Sequence, residues 1–138
     1  FNIGAIPGIL ILAFLTTRLP LVPLLSLFFL SAGGVLVFVG LTEPSELGSL
    51  MALMFFAGVF LHGGFTCLYA LAAQVYPSDV RAAGVGWAAG LGRTGAIVSP
   101  VFAAALITAG WDMYALFVCF ALPLLAVGFL LWVFSNDD

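Results

Sequence analysis

Five long apolar runs joined by connections of a few residues constrain this chain more than any other feature. A helix that crosses a bilayer needs about 20 mostly apolar residues. Span A covers about Asn2 to Thr17, B about Val22 to Leu41, C about Leu50 to Val75, D about Ala83 to Ala109 and E about Met113 to Phe134. The connections are Arg18-Leu19-Pro20, Thr42-Glu43-Pro44-Ser45-Glu46, Tyr76-Pro77-Ser78-Asp79-Val80-Arg81 and Gly110-Trp111-Asp112. Links this short set consecutive helices side by side and antiparallel. A membrane β-barrel needs alternation over stretches of about ten residues, which runs such as Leu24 to Leu30 deny.

Composition agrees with the runs. Only 7% of residues are charged and 64% are hydrophobic, whereas a soluble domain carries about 25% charged residues. The expected fold is therefore an all-α integral membrane bundle with five transmembrane helices. Three arginines and no lysine cannot supply the basic footprint that nucleic-acid binding requires. Cys67 and Cys119 each sit inside an apolar run without metal-ligand spacing and read as buried, reduced thiols. One histidine and no acid within the spans leave no catalytic pair, so neither an enzyme nor a metal or cofactor site is expected. The start lacks the basic n-region and cleavage site of a signal peptide. Phe1 opens inside an apolar segment with no initiator Met, so the sequence is expected to be a piece of a longer chain, with span A cut short at its front.

Basic residues near span ends set orientation. Arg18 and Arg81 lie in the A–B and C–D loops, on one side; Glu43, Glu46 and Asp112 lie on the other. The positive-inside rule puts the A–B and C–D loops in the cytoplasm, with the C-terminal Asp137-Asp138 beside them. Spans B and E contain no ionisable side chain and suit a peripheral, lipid-facing position. Small residues four apart, Gly4 and Gly8 in A and Gly86 and Gly90 in D, allow close helix approach.

Arg93, in the middle of D, is the most informative side chain. An arginine at mid-membrane costs about 2.5–3.5 kcal/mol on insertion scales, and its guanidinium keeps its proton. It must meet a partner or a water-filled cavity. One reading is an anion site, in which the planar fork grips a carboxylate through two hydrogen bonds. The other is a salt bridge or carbonyl contact to another helix, although no acid occurs inside the five spans. At about 1.5 Å per residue, Arg93 lies about 15 Å in from the C–D loop, level with Phe65 and Thr66 on C. His62, Phe65, Thr66 and Tyr69 follow i, i+3, i+4, i+7 spacing and share a face of C. Gly86, Gly90 and Arg93 share a face of D. If the two faces meet one cavity, a carboxylate on Arg93 has its ring beside Phe65 and Tyr69. His62 suits either a proton-coupling group or a neutral interface histidine. Phe65 and Tyr69 alone would read as packing residues. Pro100 removes a donor from the helix ladder at carbonyl 96 and marks a kink, for a gate or for shape alone. In the C–D loop, Ser78 or Asp79 can cap span D, and Asp79 with Arg81 can latch the cytoplasmic side.

From Tyr69 to Pro100 the chain reads YALAAQVYPSDVRAAGVGWAAGLGRTGAIVSP. This resembles the tenth and eleventh helices of major facilitator superfamily transporters, above all the aromatic acid:proton symporters and their nicotinate-type relatives. The matching residues are Tyr76-Pro77, Arg81, Gly84, Gly86 and Gly92-Arg93-Thr94-Gly95-Ala96-Ile97. The resemblance implies that A to E are helices eight to twelve of a twelve-helix protein, with A, C and D lining the cavity and B and E outermost. The chain departs from the family at Gly63-Gly64-Phe65, where a glutamine often stands, and at Tyr69, where an asparagine does. It also carries Thr17-Arg18-Leu19-Pro20 in place of an acidic-basic motif.

The resemblance implies proton-coupled import of a small aromatic or related organic carboxylate by alternating access, in a plasma membrane of bacterial inner-membrane type. Arg93 would hold the carboxylate, with Phe65, Thr66, Tyr69 and His62 shaping the site and Asp79, Arg81 and Pro100 in gating. The partners are then a small organic anion, protons, the lipid bilayer and the N-terminal helices of the same parent chain. The principal proton-coupling acid is expected in those helices. Alternatives are a major facilitator transporter of sugars or other neutral solutes, a channel and a non-transporting membrane subunit.

Overall fold

The computed structural model describes residues 1–42 and 44–136, with the side chain of Asn136 left aside. Glu43, Asp137 and Asp138, which enter the charge and orientation arguments, lie outside the described residues. A single turn of 3-10 helix at Asn2–Gly4 leads into α1 (Ala5–Leu15); α2 (Leu21–Thr42), α3 (Leu47–Val75), α4 (Arg81–Thr108) and α5 (Met113–Asn136) follow. Among the described residues these helices carry all the regular structure. The last four are long and apolar enough to cross a membrane, while the Asn2–Leu15 stretch is a shorter apolar helix.

Contacts between helices fix their directions. Ser26, Gly33 and Gly40 of α2 meet Gly128, Leu125 and Tyr114 of α5 in reverse order, so the two run antiparallel. Leu21 and Phe28 of α2 likewise meet Cys67 and Gly63 of α3. Gly4 and Gly8 of the first segment press on Phe55 and Val59 of α3 in the same order, so α1 and α3 are parallel. The result is the up-and-down order that the short connections demand. Spacing of Gly4 and Gly8 serves close approach: a side chain at either would collide with the α3 backbone.

The core lies along α2. Leu24, Leu25, Phe28 and Phe29 are buried together with Leu12 of α1 and Cys67 of α3. The expectation that span B lies at the periphery concerned the whole bundle; among the five helices described, B lies between α3 and α5. Gly33, Gly40 and Gly128 let α5 close onto one side of α2, while Gly63 and Gly64 seat Phe28 and Phe29 on the other. On α5, Leu122, Phe129 and Leu130 are exposed, and Trp132, also exposed, borders a groove with α2. Cys67 is a buried free thiol and Cys119 a half-buried one.

Helix α4 has no buried residue at all. It packs along α3 and touches α5 through the edge-to-face pair Phe102–Phe120, 6.4 Å between ring centroids. Its ends are well made. Gly110 takes φ +84°, and the N–H groups of Gly110 and Trp111 return to the carbonyls of Ile107 and Leu106 at 3.0 and 3.1 Å. This is the glycine-terminated helix end in which the last free carbonyls find donors. The N-terminal cap differs from expectation. Val80 occupies the cap position and has no polar side chain to offer, while the Ser78 hydroxyl donates to Asp79 Oδ1 (3.0 Å) within the loop.

Candidate substrate cavity

Antiparallel packing of α3 and α4 leaves a cavity of about 330 Å³ between them. Phe65, Leu68, Tyr69 and Ala72 form the α3 wall; Val85, Ala88, Ala89, Gly92, Arg93 and Ala96 form the α4 wall. The volume is at the small end of the roughly 300–1,000 Å³ typical of small-molecule sites. Alanines and glycine make the α4 wall low, which is what leaves room between the helices. Two lining side chains are polar: the Arg93 guanidinium and the Tyr69 hydroxyl. Phe65 is braced from behind by the buried Phe29 of α2, edge-to-face at 6.3 Å.

Of the residues singled out in the sequence, the fold therefore brings Phe65, Tyr69 and Arg93 to one cavity. His62 and Thr66 share their helix but not this wall. His62 Nδ1–H donates to the Gly58 carbonyl at 3.0 Å, and its ring lies 5.3 Å from that of Phe1. The Thr66 hydroxyl donates to the His62 carbonyl at 2.9 Å. An i, i+3, i+4, i+7 set spans a stripe about 100° wide, and the cavity takes only the Phe65–Tyr69 edge of it. Leu68 and Ala72, on the far side of that edge, were not legible as lining residues because nothing distinguishes them from lipid-facing ones. Helix α1 takes no part in the wall.

Gly86 and Gly90 also part from Arg93. They line a separate shallow groove with Trp87 and Thr94, and a Cβ at either would meet nothing within 4 Å. Pro100 lies inside an unbroken α4. In the α3–α4 turn the resemblance residues hold one another. Arg81 donates its Nε–H to the Tyr76 carbonyl at 3.2 Å, and the Tyr76 ring covers Gly84 so closely that a Cβ there would come within 2.7 Å of it. Arg81 and Asp79 thus bond within their own loop, Arg81 to Tyr76 and Asp79 to Ser78.

Known proteins similar to this chain carry transporter names. It is 31% identical over 135 residues to the 3-(3-hydroxy-phenyl)propionate transporter of Escherichia coli K12, which covers 98% of the chain and 33% of that protein. It is 34% identical over 99 residues to the 4-hydroxybenzoate transporter PcaK of Pseudomonas aeruginosa, covering 72% of the chain and 22% of the relative. The gentisate transporter of Corynebacterium glutamicum is 33% identical over 114 residues, 81% of the chain and 24% of that protein. The chain belongs to the major facilitator superfamily. No family model and no solved structure matches it. This major facilitator chain spans a third or less of the length of these curated relatives. The relatives are transporters by name rather than enzymes, in keeping with spans that hold no catalytic pair.

Proposed function

We propose that this chain forms part of a secondary transporter that imports small aromatic carboxylates with protons by alternating access. The observation that carries the proposal is the α3–α4 cavity, where one guanidinium, Arg93, faces two aromatic side chains, Phe65 and Tyr69, in an otherwise apolar wall. A guanidinium pairs a carboxylate through two parallel hydrogen bonds, and the rings offer stacking or edge contact to an aromatic body. A neutral solute would leave Arg93 without a counter-charge within a membrane span, an expensive arrangement. The three relatives named above are transporters of aromatic acids by name, which supports the same substrate class.

In this reading the five helices are the eighth to twelfth of a twelve-helix protein in a bacterial inner membrane, with the C-terminus in the cytoplasm. Helices from the preceding part of the parent chain complete the far side of the cavity and carry the principal proton-coupling acid. His62 and Thr66 stand outside the substrate contacts. Alternating access relates two repeats around a midplane site, so the test needs the full-length protein.

The test is uptake of labelled 4-hydroxybenzoate into vesicles under an imposed proton gradient. Arg93→Ala is expected to lower uptake by on the order of tenfold to a hundredfold, the value of a charge-assisted pair, with membrane abundance unchanged. Arg93→Lys should recover part of the loss, since an ammonium lacks the planar fork. Normal uptake by Arg93→Ala would remove Arg93 from the site, and uptake indifferent to the proton gradient would favour a channel.

A further inference from the structure

Proline at position 100 has a consequence one turn back along α4. It has no N–H, so the carbonyl four residues earlier, that of Ala96, loses its helical donor. Helix α4 nevertheless runs unbroken from Arg81 to Thr108, and Ala96 stands in the cavity wall three residues beyond Arg93. We infer that the Ala96 carbonyl is a hydrogen-bond acceptor of the cavity, and that it selects aromatic acids bearing a ring hydroxyl over those without one. The inference rests on the aromatic-carboxylate reading above and adds a specificity determinant to it.

The polar inventory of the cavity supports this. Arg93 is donor-only and serves the carboxylate. The Tyr69 hydroxyl can donate or accept. The remaining side chains of the α3 and α4 walls are aliphatic or aromatic, so on this side of the cavity a ring hydroxyl that must donate has two acceptors, the Tyr69 oxygen and the Ala96 carbonyl. The hydroxyls that bond back along α4 do so elsewhere: Thr94 donates to Leu91 (2.7 Å) and Thr108 to Ala105 (2.9 Å). A carbonyl freed within a membrane span is stable only where another group or water meets it.

Geometry fits a single ring. Arg93 and Ala96 are three residues apart, about 4.5 Å along the helix axis, and lie on the same wall. An aromatic ring with a carboxylate at one end and a hydroxyl at the other reaches both, with its faces toward Phe65 and Tyr69. An acid lacking the hydroxyl would displace water from the carbonyl and leave it unmet, and sites built to bond a substrate hydroxyl reject the plain analogue.

The experiment compares uptake of 4-hydroxybenzoate and benzoate by the full-length protein. The native protein should favour the hydroxylated acid in kcat/KM by about tenfold or more. Pro100→Ala restores an N–H at position 100, re-engages the Ala96 carbonyl and should bring the ratio toward one. Tyr69→Phe removes the competing acceptor and should leave the preference in place. If Pro100→Ala no longer cycles, the affinities of the two acids for the purified variant, measured by calorimetry, give the same ratio. A preference that survives Pro100→Ala, or that disappears in Tyr69→Phe, overturns the inference. Equal uptake of both acids by the native protein also overturns it while sparing the aromatic-acid reading. Uptake of neither acid overturns both.

Discussion

The Ser26 hydroxyl donates to the Gly128 carbonyl at 2.8 Å in the buried seam between α2 and α5. Ser26 is the buried polar side chain of this core, and its partner is available because position 128 has no side chain to keep the helices apart. Hydrogen bonds between membrane helices contribute about 0.6 kcal/mol on average and up to about 1.7. Ser26→Ala is therefore expected to lower stability by about 1 kcal/mol, leaving uptake per folded molecule unchanged. Denaturant unfolding of the purified full-length protein in detergent, beside vesicle uptake, measures both.

Two helical glycines, one buried and one exposed, should respond differently. A Cβ on Gly8 would fall against the Val59 backbone, with Val59 C and Cα each at 3.0 Å, whereas one on Gly34 would meet nothing within 4 Å. Backbone cannot swing aside as a leucine tip can. Gly8→Leu is expected to destabilise by about 1–3 kcal/mol, and Gly34→Leu to stay within about 0.5 kcal/mol. Parallel unfolding curves of the two variants decide the point. Equal effects would mean that α1 does not sit against α3 as described.

Asp112 accepts the Ala115 N–H at 2.8 Å and so caps the first turn of α5. Loss of such a cap costs about 1 kcal/mol, and asparagine caps as well as aspartate. Asp112→Ala should lower the unfolding midpoint and Asp112→Asn should preserve it. A drop in both variants would show that the charge, rather than the cap, matters.

The helices were legible because apolar runs near bilayer length admit few alternatives, and Gly4 and Gly8 were legible as a contact through their spacing. Which sides of α2 meet its neighbours was not. Lipid is as apolar as leucine, so hydropathy does not separate a protein-facing side of α2 from a lipid-facing one. What places α2 is shape: Gly33, Gly40 and Gly63 make room for particular neighbours across the seam. The same blindness hid Leu68, Val85 and Ala96 as cavity residues. Arg93 stood out because charge in a membrane span always requires an account. The cap of α4 escaped for a different reason: the helix starts at Arg81, which puts Val80 rather than Ser78 or Asp79 at the cap position.

His62 offers a direct test of what lies outside the cavity. Its Nδ1–H is engaged by the Gly58 carbonyl one turn back on α3, and its ring packs with Phe1. A glutamine at this position can donate to the same carbonyl. His62→Gln is expected to keep uptake, and the dependence of uptake on the proton gradient, within about twofold of native. Loss of the proton dependence with substrate binding intact would instead make His62 the coupling group. Vesicle uptake with and without an imposed gradient distinguishes the two.

Gly92 lies in the cavity wall beside Arg93, and a Cβ there would meet nothing within 4 Å. Substitution at this position consequently adds volume to the cavity wall without forcing the helices apart. Gly92→Ala should fold normally and take up single-ring acids, while larger acids lose uptake first, because the added methyl narrows the gap between the α3 and α4 walls. Gly92→Phe should abolish uptake with membrane abundance and unfolding midpoint preserved, since its ring occupies the space between Phe65 and Arg93. A folded Gly92→Phe protein that still accumulates 4-hydroxybenzoate would place the substrate elsewhere. An Arg93→Ala defect in the same assay would then have to arise from a structural role of the guanidinium rather than from carboxylate binding.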